Sequence, residues 1–342
     1  MNGDEGNIEF KVAILGPRRV GKTSLITALL SESQKLLAGT PVSIAPVGTT
    51  EARIAQHKND LRGSLLAGEF HPGALGGTQA PFTFTLAMTV NKTGISWAIL
   101  DYPGGWLDAR TRGSENDAEW ERCRTWISER SVLLLPVDAS VLMEATLKRE
   151  KITAQHLLQV GQTEELAREW AKGRAVARQP GLLILAPVKC ESYFNDNGGL
   201  VDKNEELYRR VVQAYKPVID AVRQEMAGSA GLSVQYHPVD TFGCVELQAA
   251  EWRPIETNGA ASDTSPLLFS ATYIVRPPGQ PNPKGAGGIL VSICRQIVEA
   301  QSGRGRGYLA ELWAWLTGSK RRLRQAVEDL SKADPGSRVR ML

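Results

Sequence analysis

The chain has 342 residues, 42% hydrophobic and 23% charged, which excludes a largely disordered polymer and provides enough apolar side chain for a sizeable core. Its 40 Lys and Arg against 37 Asp and Glu leave a net charge of +3, so a nucleic-acid partner is not expected. The surplus is concentrated at one end, where residues 303–342 hold nine Lys and Arg against four Asp and Glu.

Cys123, Cys190, Cys244 and Cys294 are too far apart for a zinc knuckle or a CxxC pair, and read as reduced, buried thiols. The opening MNGDEGNIEF has no apolar stretch behind a positive start, and no later run approaches the ~18 apolar residues of a membrane span. The expectation is a cytoplasmic protein with no transmembrane segment.

Along the chain, Ile8–Leu15 is a β-branched run ending at Gly16, and Lys22–Leu30 has helical spacing, which predicts strand, glycine turn, helix. Residues 31–80 show no clean period, with Gly76-Gly77-Thr78 just before the next strand. Phe82–Val90 alternates, and Asn91–Gly94 turns it into Ile95–Leu100, an antiparallel hairpin. Ser114–Arg130 reads as a helix, Val132–Val137 as a buried strand, and Ala139–Arg178 as one or two long charged helices. Leu182–Val188 reads as a strand, Glu205–Met226 as a helix, Leu232–Val239 as the last strand and Gly288–Gln301 as a closing helix. Residues 246–287, rich in Pro, Gly and Ser, read as an irregular insertion. Short apolar strands alternating with helices predict an α/β three-layer sandwich, a mainly parallel sheet with one antiparallel edge strand.

Gly16-Pro17-Arg18-Arg19-Val20-Gly21-Lys22-Thr23 fits the GxxxxGK[ST] pattern, with Ser24 continuing the helix. Glycines let backbone N–H groups wrap a phosphate, the lysine reaches its outer oxygens, and the threonine hydroxyl suits Mg²⁺. The helix that starts there adds the positive end of its dipole. Asp101 ends the strand ISWAIL and opens Asp101-Tyr102-Pro103-Gly104, a DxxG pattern. A carboxylate at a strand tip holds Mg²⁺ through water, and the Gly104 N–H meets a terminal phosphate. Asp138, at the next strand tip, reads either as a carboxylate near the nucleotide or as the N-cap of the helix after it. The four histidines are scattered without metal-ligand spacing.

With these two motifs the chain resembles GTPases of the translation-factor and Ras-like (TRAFAC) class of P-loop NTPases, over about residues 8–301. The resemblance implies GTP and GDP as ligands, Mg²⁺ as cofactor, and Thr23 and Asp101 at the metal. It implies a switch threonine before the antiparallel strand, for which Thr78 is the first candidate and Thr49 and Thr50 are weaker ones. Val188-Lys189-Cys190-Glu191 stands where the family's Asn/Thr-Lys-x-Asp reads guanine, so Lys189 and Glu191 are assigned to the base. His237-Pro238-Val239-Asp240-Thr241-Phe242-Gly243 occupies the place of the fifth motif, which assigns Asp240 and Thr241 to the nucleotide. The DYPGG wording and the long segment before it are similar to bacterial double-GTPase proteins of conflict and defence gene clusters.

The departures bear on mechanism. Gly105 stands where Ras-like enzymes carry the water-orienting Gln, which predicts slow intrinsic hydrolysis and dependence on a protein activator or effector. Arg18 and Arg19 replace small residues of the loop, and Arg18 is a candidate for stabilising terminal-phosphate charge in cis. The expected organisation is an enlarged G domain over 1–301, with insertions at 31–80, 139–178 and 246–287, followed by a basic tail over 302–342. Within the tail, Trp313, Trp315 and Lys320–Arg324 make residues 303–342 a candidate docking segment for a partner, or a helix packed on the domain. A nucleotide-binding scaffold with little hydrolysis and an ATPase of the same fold are the alternative readings.

Overall fold

The computed structural model describes residues 8–70, 78–90, 93–196, 201–229, 231–255, 266–299 and 321–342. Its strands are β1 (Ile8–Ile14), β2 (Ser43–Pro46), β3 (Glu69–Phe70), β4 (Phe82–Val90), β5 (Thr93–Asp101), β6 (Val132–Asp138), β7 (Gly181–Val188), β8 (Leu232–Tyr236), β9 (Val245–Pro254), β10 (Leu267–Val275) and β11 (Arg340–Met341). Eight of them form one sheet in the order β11-β8-β7-β6-β1-β5-β4-β2. The five from β8 to β5 run parallel.

Strand periodicity sends alternate side chains to opposite faces, and both faces are apolar. Phe10, Val12 and Ile14 of β1, with Leu182, Ile184 and Ala186 of β7, enter one core. Ala13 of β1, with Leu183 and Leu185 of β7, enters the other. The first face is covered by α1 (Lys22–Leu37) and by later helices described below. The second lies under α4 (Asp117–Ser128), which follows the short α3 (Ala109–Arg112), and under helices of the 139–226 region. The architecture is a mainly parallel α/β sheet with helices on both sides.

Several expectations change. β4 is antiparallel to β5 as predicted, but it is not the edge, because β2 pairs with its outer side from Ser43↔Thr89 to Pro46↔Leu86. At the opposite edge β11 runs antiparallel to β8, so three strands joined by antiparallel pairing flank the parallel five. The hairpin residues Asn91 and Lys92, like Gly76 and Gly77, lie outside the described residues. The 31–80 segment holds an 18-residue helix, α2 (Thr49–Leu66). Its buried positions are Thr50, Ile54, His57, Leu61 and Leu65, a helical spacing concealed because two of the five are polar.

The 139–178 region divides into three helices, α5 (Ala139–Met143), α6 (Lys148–Leu157) and α7 (Val160–Val176). The Glu150 carboxylate accepts the Thr146 and Leu147 amides, both at 2.8 Å, at the start of α6, and Gln159 turns left-handed (φ 49°) before α7. The single helix expected over 205–226 is two, α8 (Asn204–Ala214) and α9 (Lys216–Glu225). Pro217 stands in the first turn of α9, where its missing N–H and its ring preclude a continuous helix.

Residues 246–287 are not irregular throughout, since β9 and β10 pair over most of their length and β3 joins the outer side of β10. This three-stranded antiparallel sheet packs through Val245 and Tyr273 against Leu61 and Leu65 of α2 and against Phe242 and Cys244. Trp252 anchors the hairpin by donating its indole N–H to the Glu144 carbonyl at 3.0 Å.

The closing helix is α10 (Gly287–Glu299), and α11 (Arg321–Lys332) lies on it. Val327 and Leu330 of α11 enter the first core, while Arg295 of α10 donates to the Ser331 and Ala333 carbonyls at 2.7 Å each. Beyond it, Arg338 lies 3.8 Å from the centre of the Phe194 ring and 3.0 Å from Asp196, and Arg340 pairs with Glu205. Of the readings of the tail, packing on the domain is the one that residues 321–342 follow. The amphipathic period of α11 faces inward, and the arginines after it are matched to acids of the domain. Trp313 and Trp315 lie outside the described residues.

His237, fully buried after β8, has its Nε2 2.8 Å from Gln235 Oε1 and 3.3 Å from Ser292 Oγ. Burial, with the Arg295 charge second, pushes its imidazole down to about 3 from an ordinary 6.5. The unfolded chain takes up the proton below pH ~6.5 and the folded chain resists it, so His237 contributes its full stability above that pH. The contribution falls as pH drops from 6.5 towards 3, by up to about 1.4 kcal/mol per pH unit. Chemical denaturation at pH 7 and 4.5 should show a smaller acid loss for His237→Asn than for the wild type.

Candidate functional site

The candidate residues gather at the carboxyl ends of the parallel strands, around the place where the chain order reverses on either side of β1. Open α/β sheets place their crevice there because helices leaving the two faces diverge. The turn from β1 into α1 contains left-handed residues at Arg19 (φ 62°) and Gly21 (φ 104°). Arg18 and Arg19 are exposed, whereas Val20 is buried and offers only its backbone.

Lys22 is buried, and its Nζ donates to the Gly16 and Pro17 carbonyls at 3.0 and 3.1 Å. Desolvation lowers its pKa, against the pull of Asp101. Tyr102, inside the DxxG sequence, holds the base of the turn by accepting the Gly16 amide on its hydroxyl at 3.1 Å. Its buried ring lies 5.3 Å from Lys22 Nζ and the same distance from the Trp120 ring.

Asp101 ends β5 and is almost wholly buried. Its Oδ2 accepts Thr23 Oγ1 at 3.1 Å and Thr78 Oγ1 at 2.6 Å. Its Oδ1 lies 4.0 Å from Lys22 Nζ and has no hydrogen-bond partner among the described residues. The two weaker threonine candidates are elsewhere: Thr50 Oγ1 accepts the Thr85 amide at 2.8 Å, and Thr49 is exposed at the start of α2. Burying a carboxylate oxygen without a partner is costly, and the nearby groups with which it can share a ligand are two hydroxyls and an ammonium.

Ser24 does not turn its side chain to the loop. Its Oγ is 3.2 Å from His57 Nε2, a buried polar pair joining α1 to α2. Gly104 touches the loop at the backbone level: a Cβ there would lie 2.1 Å from the Arg18 nitrogen and 2.3 Å from the Pro17 carbonyl carbon. Gly104→Ala must therefore force the 101–105 and 16–23 segments apart. The expected result is a fall in melting temperature of a few degrees, read by thermal unfolding.

At the far end of the crevice, Lys189 adopts a left-handed conformation (φ 60°), and its amide donates to Thr241 Oγ1 at 3.0 Å. Its Nζ forms a buried ion pair with Asp138 Oδ2. Glu191 is fully buried, with Oε1 accepting the Phe242 and Gly243 amides at 2.6 and 3.1 Å. Only its Oε2 lacks a partner among the described residues, and burial raises its carboxyl above the usual range. Asp240 is buried, and its backbone exchanges hydrogen bonds with Lys284 at 2.9 and 3.1 Å. The 188–191 and 240–243 segments are thus tied together. Val188 lies 3.5 Å from where a Cβ on Gly21 would stand, which joins this end to the glycine turn.

Sequence spacing brought Lys22, Thr23 and Asp101 into view, and the family resemblance Thr78, but neither revealed Tyr102, His57 or the Lys189–Asp138 pair. Tyr102 carried one available signal, an aromatic between the two defining residues of DxxG. Among the described residues there is no cluster of three His, Cys, Asp or Glu side chains suited to a metal. No helix of the described residues is long and apolar enough to cross a membrane. No protein-family model matches the chain, and no curated protein matches it.

Proposed function

We propose that the protein is a Mg²⁺-dependent guanine-nucleotide switch with slow intrinsic GTP hydrolysis, regulated by a protein partner. The observation that carries this reading is the convergence of Thr23 and Thr78 on one oxygen of Asp101, beside Lys22, with the other oxygen unpartnered. Two hydroxyls and a carboxylate form the hard-oxygen set that Mg²⁺ favours, and a Mg²⁺ site typically takes few protein ligands and leaves the rest to phosphates and water. Mg²⁺ bound there supplies charge neutralisation to the phosphates.

The protein's own groups divide the remaining work. The 16–21 turn and the start of α1 present backbone N–H groups to phosphate, and Lys22 exchanges two loop carbonyls for phosphate oxygens. Thr78 has a partner at Asp101 only while the segment before β4 lies against β5, which makes its position sensitive to what occupies the site. Glu191 Oε2 is the acceptor left for a base N–H. Gly105 has no side chain to orient water, so turnover depends on another group, either exposed Arg18 of the 16–21 turn or one supplied by a partner.

A second reading, a nucleotide-binding scaffold with little hydrolysis, is favoured by Gly105 together with Val188-Lys189-Cys190-Glu191. Equilibrium titration with GTP and ATP, followed by phosphate release, tests both readings. Preference for GTP with slow release supports the first, tight binding without release supports the second, and no binding of either nucleotide removes both.

A further inference from the structure

We infer that Asp138 is a positioning residue that sets base selectivity, acting through Lys189; this rests on the reading of 188–191 as the base-reading segment. The argument starts from an energetic oddity. Lys189 is not glycine, yet it holds φ 60°, a conformation that ordinary side chains adopt only when their surroundings impose it. Two tethers impose it here. The Lys189 amide is held by Thr241 Oγ1 at 3.0 Å, and its ammonium is held by Asp138 Oδ2 from the tip of the neighbouring strand β6.

Asp138 is suited to this role because each of its oxygens has a separate task. Oδ1 caps α5, accepting the Ser140 amide at 3.1 Å, the Ser140 hydroxyl at 2.6 Å and the Val141 amide at 3.3 Å. Those bonds fix the carboxylate plane, so Oδ2 is presented to Lys189 in one direction. Both side chains are buried, at 10% and 8% exposure, and in such surroundings the loss of one member is costly because it leaves the other charge unmatched. The left-handed turn at Lys189 then directs Cys190 and Glu191 back beneath Phe242 and Gly243. Asp138 thereby determines where Glu191 Oε2 stands, although its own oxygens are taken up by α5 and by Lys189. It also neutralises Lys189, which leaves the lysine's alkyl stem, not its charge, to meet a ligand.

The test is the ratio of GTP to ATP dissociation constants, measured with the full chain and fluorescent nucleotides alongside thermal unfolding. Asp138→Asn retains an acceptor for the cap and removes the ion pair. It should reduce the GTP/ATP ratio of affinities about tenfold while ATP affinity, carried by the phosphate end, changes little. Ser140→Ala weakens the cap and leaves the pair, and it should keep wild-type selectivity. If Asp138→Asn does not fold, the paired change Asp138→Leu with Lys189→Met removes both charges together and carries the same expectation. Wild-type selectivity in either pair-breaking variant overturns the inference, as does a Ser140→Ala protein that loses selectivity to the same extent. A wild-type chain that binds GTP and ATP equally overturns it together with the base reading, and that outcome is visible before any variant is made.

Discussion

Replacing Lys22 by alanine should weaken nucleotide binding about a hundredfold, since it removes a charge-assisted contact to phosphate from a buried position. The side chain has no exposed role to lose. Its Nζ stands between two loop carbonyls and Asp101, and burial lowers its pKa while the Asp101 charge opposes that shift. Removing it also leaves the Asp101 carboxylate without its nearest positive charge, so a fall in melting temperature is expected as well. Lys22→Arg keeps the charge but not the compact shape, and should recover stability more than affinity. A fluorescent-nucleotide titration in which Lys22→Ala binds like the wild type would place the phosphate site elsewhere.

Asp101→Asn should abolish the dependence of nucleotide affinity on Mg²⁺. In the wild type, chelation with EDTA should raise the dissociation constant about tenfold or more, because Thr23, Thr78 and Asp101 are the residues that would hold the metal, whose charge would offset that of the phosphates. The amide of the variant still accepts from both hydroxyls through one oxygen, so the local fold has a means of surviving. What it loses is the negative charge and the unpartnered Oδ1. Its dissociation constant should be the same with and without EDTA, and close to that of the EDTA-treated wild type. Persistent Mg²⁺ dependence in Asp101→Asn would mean that the carboxylate serves only to hold Thr23 and Thr78. Thr78→Ala separates the contributions: it should weaken GTP more than GDP if that segment responds to the terminal phosphate.

Much of the frame was legible because its signals are local. β1, β4, β6 and β7 are short apolar runs of even or alternating burial, and the structure places them within a residue or two of where their composition predicts. The glycine turn was legible for the same reason, since Gly21 needs its left-handed conformation whatever surrounds it. α2 was concealed because His57 and Thr50 occupy its buried stripe, and each is tolerated there only through a partner, Ser24 or the Thr85 amide, supplied by another element. β9 and β10 were concealed because a two-sided hairpin at the surface has a weak period, and its apolar residues are matched by α2 and by the Phe242–Val245 segment.

The division at the site follows the same physics. The sequence by itself determined that Lys22 and Thr23 share one glycine turn and that Asp101 stands at a strand tip, because both are spacings along a short stretch of chain. Only the tertiary structure decided which of the three threonines meets Asp101: Thr78 lies 2.6 Å from it across 23 residues of chain, whereas Thr50 meets the Thr85 amide. It likewise decided that Lys189 is matched by Asp138, 51 residues away, and that the basic end of the chain folds back to become the last helix and an edge strand. Charge pairs and buried hydroxyls are contacts between distant segments, and their partners are set by how the sheet closes, which no local pattern contains.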